Sequence, residues 1–283
     1  AVVAVKGISF HVKKGECFGL LGVNGAGKTT TFRMLTGDEV RSSGDARIGN
    51  NYLSHGRKQF MEEIGYCPQF DAIIGELTGE EMLSLMAGLR GVSRKRQPQL
   101  LERLIKLVDL TECAKRPSST YSGGNKRKLS TAMALVGQPP LVFLDEPTSG
   151  VDPASRRRVW EAVRDATRAG QSVILTSHSM DECEALCSNV VIMAKGVLKC
   201  SGTPKHLKAK FGKGYTLQIK IKSSLPQQLQ HSLSEDQKEA AYVDMIAGLK
   251  EIISQGFEGS TLTDEHRVKF LFFFSLMSAL YCN

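Results

Sequence analysis

The run Gly22-Val23-Asn24-Gly25-Ala26-Gly27-Lys28-Thr29 fits the spacing GxxxxGK[ST]. Glycines so placed let a backbone wrap closely around phosphate groups with its N–H bonds turned inward. A helix that starts at such a loop adds its positive dipole end. Lys28 would bring a point charge to the β- and γ-phosphates of a nucleotide, and the Thr29 hydroxyl would reach Mg²⁺. Thr30 ends the candidate loop. A chance glycine turn is the plainer alternative, but an apolar strand before the loop and a helix after it are the context the motif demands.

Leu141-Val142-Phe143-Leu144-Asp145-Glu146 is a second signal: an apolar run that ends in two acids. A buried strand of this kind delivers a carboxylate to the end of a sheet. Asp145 could there hold Mg²⁺ through its water shell. Glu146 could polarise an attacking water as general base. An ordinary acidic cap before a turn is the competing reading. Tyr121-Ser122-Gly123-Gly124-Asn125-Lys126 precedes a helical stretch at about 126–135. A serine and two glycines at a helix N-terminus make another anion site. Alone, Ser-Gly-Gly is a common turn; its order among the other motifs is what gives it meaning.

These residues need a scaffold, and the first half of the chain alternates strands with helices. Ile8, Phe10 and Val12 alternate as in a strand. A turn at 13–16 leads to a short apolar strand at 17–21, then the loop, then a helix over about 28–36 stopped by Gly37. Further buried strands are expected at 141–144, 173–175 and 190–194, with a helix over 155–169 carrying Val159, Trp160 and Val163. Continuous apolar strands suit a parallel sheet covered on both faces. Residues 79–136 read as a helical insertion, with Leu83, Leu85, Met86 and Leu89 on one face and Leu100, Leu104, Leu107 and Val108 on another. Lys195-Gly196 punctuates a hairpin that closes near Gly202. Beyond Lys213, an alternating strand at 215–221, a capping box at Ser234–Gln237, a helix through Ala241, Met245, Leu249 and Ile252, and a strand at 257–262 read as a small α+β module.

With 283 residues, 41% hydrophobic and 23% charged, the chain can bury a sizeable core, which excludes collagen-like, wholly disordered and small disulfide-framework classes. The net charge of +8 is spread over short runs, among them Arg94-Lys95-Arg96, Lys126-Arg127-Lys128 and Arg156-Arg157-Arg158, read as solvated surface. Seven cysteines, an odd number without a CxxC pair, suit reduced thiols. The N-terminus lacks the charged-then-apolar pattern of a signal peptide. The apolar run Phe270–Cys282 is 13 residues long, short of the about 20 that a spanning helix needs.

Taken in order, the motifs resemble the nucleotide-binding domain of ATP-binding-cassette (ABC) transporters, over about residues 1–213. The resemblance implies an α/β P-loop NTPase core with an ABC-type helical subdomain (about 79–136) and an antiparallel β subdomain. Gly22–Thr29 matches the Walker A loop, and Gln69, in Tyr66-Cys67-Pro68-Gln69, the glutamine loop that touches Mg²⁺. Ser122, Gly123, Gly124 and Asn125 match the signature motif, Asp145 and Glu146 the Walker B strand and catalytic glutamate, Asp152 the D-loop, and His178 the switch histidine. Residues 15–22, 121–131 and 210–215 resemble more narrowly the second cassette of subfamily A, large single-chain lipid exporters in which a small regulatory domain follows; residues 214–265 stand in that place. Residues 266–283 depart from the family and read as an atypical apolar tail. The signature carries Tyr121 and Asn125 where many members have Leu and Gln. The aromatic residue on which the family stacks adenine would precede Ala1, since Phe10 and Phe18 fit core strand positions.

The implied ligands are ATP and Mg²⁺, and the implied reaction is ATP + H₂O → ADP + phosphate. The implied partners are a second cassette, joined head to tail, and transmembrane domains of the same transporter, with the cassette on the cytoplasmic face of a membrane and no specific nucleic acid. Two other readings share these motifs. A soluble ABC ATPase acting on nucleic acid or ribosomes would bind structured nucleic acid saturably at physiological salt. A nucleotide-binding module that no longer hydrolyses would bind ATP without turnover.

Overall fold

The motif-bearing strands take up neighbouring places in one sheet. The computed structural model describes residues 3–211, 215–220, 246–253, 255, 261–266 and 269–274. The chain divides into two compact units, Ala1–Lys208 and Ala209–Asn283. In the first, β1 (Cys17–Leu21) runs into the glycine loop and α1 (Lys28–Thr36). A two-stranded antiparallel sheet follows, β2 (Arg47–Ile48) with β3 (Asn51–Tyr52), then α2 (Arg57–Glu62) and β4 (Ile64–Cys67). Helices α3 (Gly79–Leu89), α4 (Gln97–Leu107) and α5 (Gly123–Leu135) come next, followed by β5 (Leu141–Asp145), α6 (Pro153–Arg168), β6 (Ser172–Ser177) and α7 (Met180–Leu186). The unit closes with β7 (Asn189–Ala194), β8 (Val197–Gly202) and the start of α8 (Pro204–Phe211).

The strand order is β4-β5-β6-β1-β7-β8, with β1 parallel to β6 and β7, β4 to β5, and β5 to β6; only β8 is antiparallel. Alternation within the strands splits the core into two layers. Cys17, Val142, Leu144, Val173 and Leu175 face the side carrying α5, α6 and α3. Phe18, Leu20, Phe143, Ile174 and Met193 face the side carrying α1, where Phe32 meets Phe143 edge-on. Both faces are covered, which is why these strands read as continuous apolar runs.

Several local expectations change. Residues 5–13 are outside any strand: Ile8, Phe10 and Val12 stay half-buried and their neighbours exposed. They pack against the second core layer without a ladder, and Phe10 stacks on Phe18 at 5.4 Å. On α3 the buried face is Met82, Leu83 and Ala87, while Leu85 and Leu89 are exposed. Helix α5 starts three residues earlier than 126, because the Ser122 hydroxyl accepts the Asn125 N–H at 3.2 Å and caps it. The run Lys126-Arg127-Lys128 is not solvated throughout: Arg127 and Lys128 are buried, their charged ends held by backbone carbonyls.

In the second unit, β9 (Tyr215–Lys220), β10 (Thr261–His266) and β11 (Lys269–Phe274) form an antiparallel sheet in the order β10-β11-β9. The apolar tail expected from residue 266 therefore contributes the central strand, paired Phe270↔Ile219 and Phe272↔Leu217 on one side and with β10 on the other. Aromatic residues favour such a strand, and pairing on both edges satisfies its backbone. A helix covers residues 246–253, with Ile253 buried and Ile252 exposed, one position round from the expected face. The capping box at Ser234–Gln237 and most of the strand expected at 257–262 lie outside the described residues.

Candidate functional site

The carboxyl ends of parallel strands are where α/β sheets place ligands, and four adjacent strands end here in candidate residues. β1 ends at the glycine loop, β5 at Asp145 and Glu146, β6 next to His178, and β4 shortly before Gln69. The loop docks on its neighbour strand through the Gly22 N–H, which donates to the Ser177 carbonyl at 3.1 Å. A Cβ on Gly22 would stand 2.4 Å from the Met193 carbonyl oxygen, so the strand-to-loop turn requires glycine. Gly27 caps α1 at φ 102°, a conformation that side-chain-bearing residues avoid. Val23, Asn24 and Gly25 face solvent, Ala26 is buried, and Thr30 is half-buried.

Lys28 curls back under the loop. Its ammonium donates to the carbonyls of Gly22 at 2.8 Å and Val23 at 3.3 Å. It also lies 3.4 Å from Glu146 Oε1, with the two side chains 4% and 7% exposed. The other oxygen of Glu146 is 3.5 Å from Nδ1 of His178, an exposed side chain. Glu146 thus stands between a buried cation and a solvent-facing imidazole. A cavity of about 390 Å³ opens beside it, lined by Glu146, Ser149, Arg156, His178 and Glu182 among others. Glu146 has φ 47°, a left-handed conformation that costs a non-glycine residue roughly 1–2 kcal/mol. Its N–H donates to the Thr176 hydroxyl at 2.9 Å, which helps to hold it there.

Asp145 is fully buried. Its Oδ1 accepts from the Thr176 hydroxyl at 2.5 Å and the Thr29 hydroxyl at 3.4 Å. Its Oδ2 has no hydrogen-bond partner among the described residues. Burial pushes the Asp145 carboxyl above the ordinary range, against the hydrogen bonds from Thr176 and Thr29. An orphaned, desolvated carboxylate oxygen beside a threonine hydroxyl is a donor set that suits a hard divalent cation such as Mg²⁺. Gln69 is exposed, and the contact involving it runs through its backbone carbonyl.

Ser122–Asn125 and Asp152 form a separate cluster at the adjoining ends of α5 and α6. Asp152 caps α6, accepting from the N–H groups of Ala154 and Ser155 at 3.0 Å each. The backbone of Gly124 lies against it, since a Cβ there would be 3.0 Å from Asp152 Oδ2 and from Ser155 Oγ. Ser122 and Gly123 are exposed. Among the described residues, no hydrogen bond or ion pair joins Ser122, Asn125 or Asp152 to Lys28, Asp145 or Glu146.

Reading the sequence missed Arg127. It sits 4% exposed on α5. Its Nε donates to the Pro147 carbonyl at 3.1 Å, one terminal nitrogen to Pro68 and Gln69 carbonyls and to Asp71, and the other to the carbonyls of Asp145 and Glu146. Thr176, which bridges Asp145 and Glu146, was also missed. A basic triplet and a threonine in an apolar strand carry no local signal of such roles.

The sequence model of a family described as ABC transporter matches residues 5–149. Human "Phospholipid-transporting ATPase ABCA3" is 47% identical over 266 residues, 94% of this chain and 15% of its own length. Rat "ATP-binding cassette sub-family A member 2" is 50% identical over 223 residues, 79% of this chain and 9% of its own. Human "Retinal-specific phospholipid-transporting ATPase ABCA4" is 54% identical over 220 residues, 78% of this chain and 10% of its own. The chain therefore spans only a small part of the relatives it matches. Among solved structures, an ATP-binding subunit of an ABC transporter superposes with a TM-score of 0.68 at 29% identity, covering 74% of this chain and 87% of that one. A dimeric ATP-binding cassette bound to ADP and Pi gives 0.66 at 19% identity, covering 72% and 91%. The first unit has the α/β P-loop fold of these cassettes.

Proposed function

Because the chain belongs to the ABC transporter family, we propose that it binds Mg-ATP at Gly22–Thr30 and hydrolyses it to drive transport across a membrane, as the nucleotide-binding domain of a phospholipid transporter. The observation that carries this reading is the meeting of Lys28, Glu146 and His178 beside a glycine loop at the ends of β1, β5 and β6. The lipid substrate rests on the names of the relatives, two of which are phospholipid-transporting ATPases. Membership of subfamily A rests on the same identities, and the place of this domain as the second cassette rests on the motif resemblance.

In this account the loop amides and Lys28 hold the β- and γ-phosphates. Thr29 and Asp145 would hold Mg²⁺, with Gln69 reaching it from the end of β4; the ion supplies positive charge that offsets the charge of the phosphates. Glu146 orients a water and accepts its proton as the oxygen attacks the γ-phosphorus, while His178 hydrogen-bonds the γ-phosphate. Phosphates bound at the loop compete with Glu146 for Lys28, which frees the carboxylate for the water. The signature residues Ser122–Asn125, with Asp152, complete a site on a second cassette bound head to tail, a role that the exposure of Ser122, Gly123 and Asp152 at helix N-termini suits. Residues 214–265 serve as a small regulatory domain, and transmembrane domains of the same transporter turn cassette closure into movement on the cytoplasmic side.

Ligand-induced stabilisation tests the binding half directly. Mg-ATP at about one hundred times its Kd should stabilise the chain by roughly 2.7 kcal/mol, read as a rise in Tm. Lys28→Met should start from a lower Tm, since it strands a buried Glu146, and should gain little from Mg-ATP. Equal gains in the two proteins would remove Lys28 from the phosphate site.

A further inference from the structure

We infer that Arg127 is a positioning residue that ties the glutamine-loop segment to the catalytic carboxylates, so that the two move as one body with the signature helix; this rests on the nucleotide-site reading above. All three guanidinium nitrogens are engaged. One terminal nitrogen donates to Pro68 at 2.5 Å, Gln69 at 3.3 Å and Asp71 Oδ1 at 3.0 Å, all in the segment after β4. The other donates to Asp145 and to Glu146 at 3.0 Å, and Nε to Pro147 at 3.1 Å, all at the end of β5. The side chain rises from the second turn of α5, whose first residues are Gly123, Gly124 and Asn125. One planar fork thus bridges two strand ends from a third element.

The contacts are chosen for backbone. Five of the six acceptors are carbonyl oxygens, so the fork fixes peptide orientation whatever the side chains at those positions do. Two of those peptides flank the left-handed Glu146, whose carboxylate direction depends on that φ. Lysine cannot replace this: an ammonium is a point donor and cannot span both segments at fixed angles. Asp71 supplies the counter-charge at 3.0 Å and is itself partly exposed. A shift of the segment after β4 therefore pulls on the fork and through it on the peptide of Glu146. Arg127 touches neither nucleotide nor water in this account, and its effect is on where Glu146 stands.

The test uses the full chain and Arg127→Lys beside wild type, with Arg127→Met as a second variant. Amide hydrogen exchange is read at Gln69–Asp71, at Asp145, Glu146 and Thr148, and at Gly22–Thr30. Expected for Arg127→Lys is a rise of about tenfold in exchange at both strand-end segments together, little change in the phosphate loop, and Mg-ATP affinity within about threefold of wild type. Single-turnover phosphate release at saturating Mg-ATP should fall at least about tenfold, a rate effect at preserved binding. If both variants lose their fold, wild type still decides: Mg-ATP must change exchange at the two segments in parallel. A rise confined to one segment, release unchanged at equal occupancy, or independent responses in wild type would each overturn the inference. Failure of wild type to bind Mg-ATP would instead overturn the nucleotide-site reading, with the paired exchange still deciding the clamp.

Discussion

Asp145 is kept at the end of β5 against its own stability. Its carboxyl is desolvated, one oxygen has no partner among the described residues, and its pKa is raised above the usual 3.8 by that burial. The native state therefore binds this proton more tightly than the unfolded chain does. The contribution is fully present below 3.8 and is lost as pH rises from there through the higher native value. Asp145→Asn keeps an acceptor for Thr176 and Thr29 and removes the buried charge. It should raise Tm at neutral pH by about 2–4 °C, the shift that ~1 kcal/mol gives in a domain of this size. It should also flatten the fall in stability above pH 3.8 and abolish the Mg²⁺ dependence of ATP binding. Thermal melts across acid to neutral pH check the first two, and ATP titrations with and without Mg²⁺ check the third; a less stable Asn variant would mean that the carboxylate is better compensated than its contacts indicate. A residue that weakens the fold at the end of a strand beside the phosphate loop is what a ligand site predicts.

At the scale of elements, the site depends on how closely β4, β5 and α5 approach. Gly65 in β4 faces the backbone of α5, and a Cβ there would stand 2.0 Å from the Ala134 carbonyl oxygen and 2.9 Å from Pro139 Cγ. Gly65→Ala must push α5 outward and with it Arg127. A loss of about 3 kcal/mol in urea unfolding is expected, at the upper end for overpacking; a loss below ~0.5 kcal/mol would show that the helix can shift freely. The sequence makes the ends of β1 and β5, the start of α1 and its stop at Gly37 legible, because apolar runs and glycines with a required φ are local signals. It misplaces the strand at Ile8–Val12, where alternating burial arises without a pairing partner, and the face of α3, where the neighbours of Leu85 and Leu89 decide burial. Arg127, Thr176 and the left-handed Glu146 were illegible because each is set by partners at least 18 residues away. Of the residues expected at the site, the structure gathers Lys28, Thr29, Asp145, Glu146 and His178, and holds Ser122–Asn125 with Asp152 in a second cluster.

At the scale of the molecule, the chain divides into two compact units with the boundary at Lys208, and the apolar run at 269–274 pairs inside the second unit's sheet, where the sequence pattern puts boundaries after residues 213 and 265. The candidate site residues all fall in the first unit. A chain ending at Phe211 should therefore bind Mg-ATP with an affinity within about threefold of the full chain, a difference of ~0.7 kcal/mol; isothermal titration checks this, and a larger loss would give the second unit a part in the site. Residues 1–211 form one half of two shared sites in the proposed assembly, so turnover by the chain alone is expected to be slow. That makes single-turnover phosphate release the direct test, with Glu146→Gln compared with wild type at equal bound Mg-ATP. The account predicts unchanged affinity and a fall in release of at least about one hundredfold, the scale of a lost general base. Undiminished release from the Gln variant would contradict it.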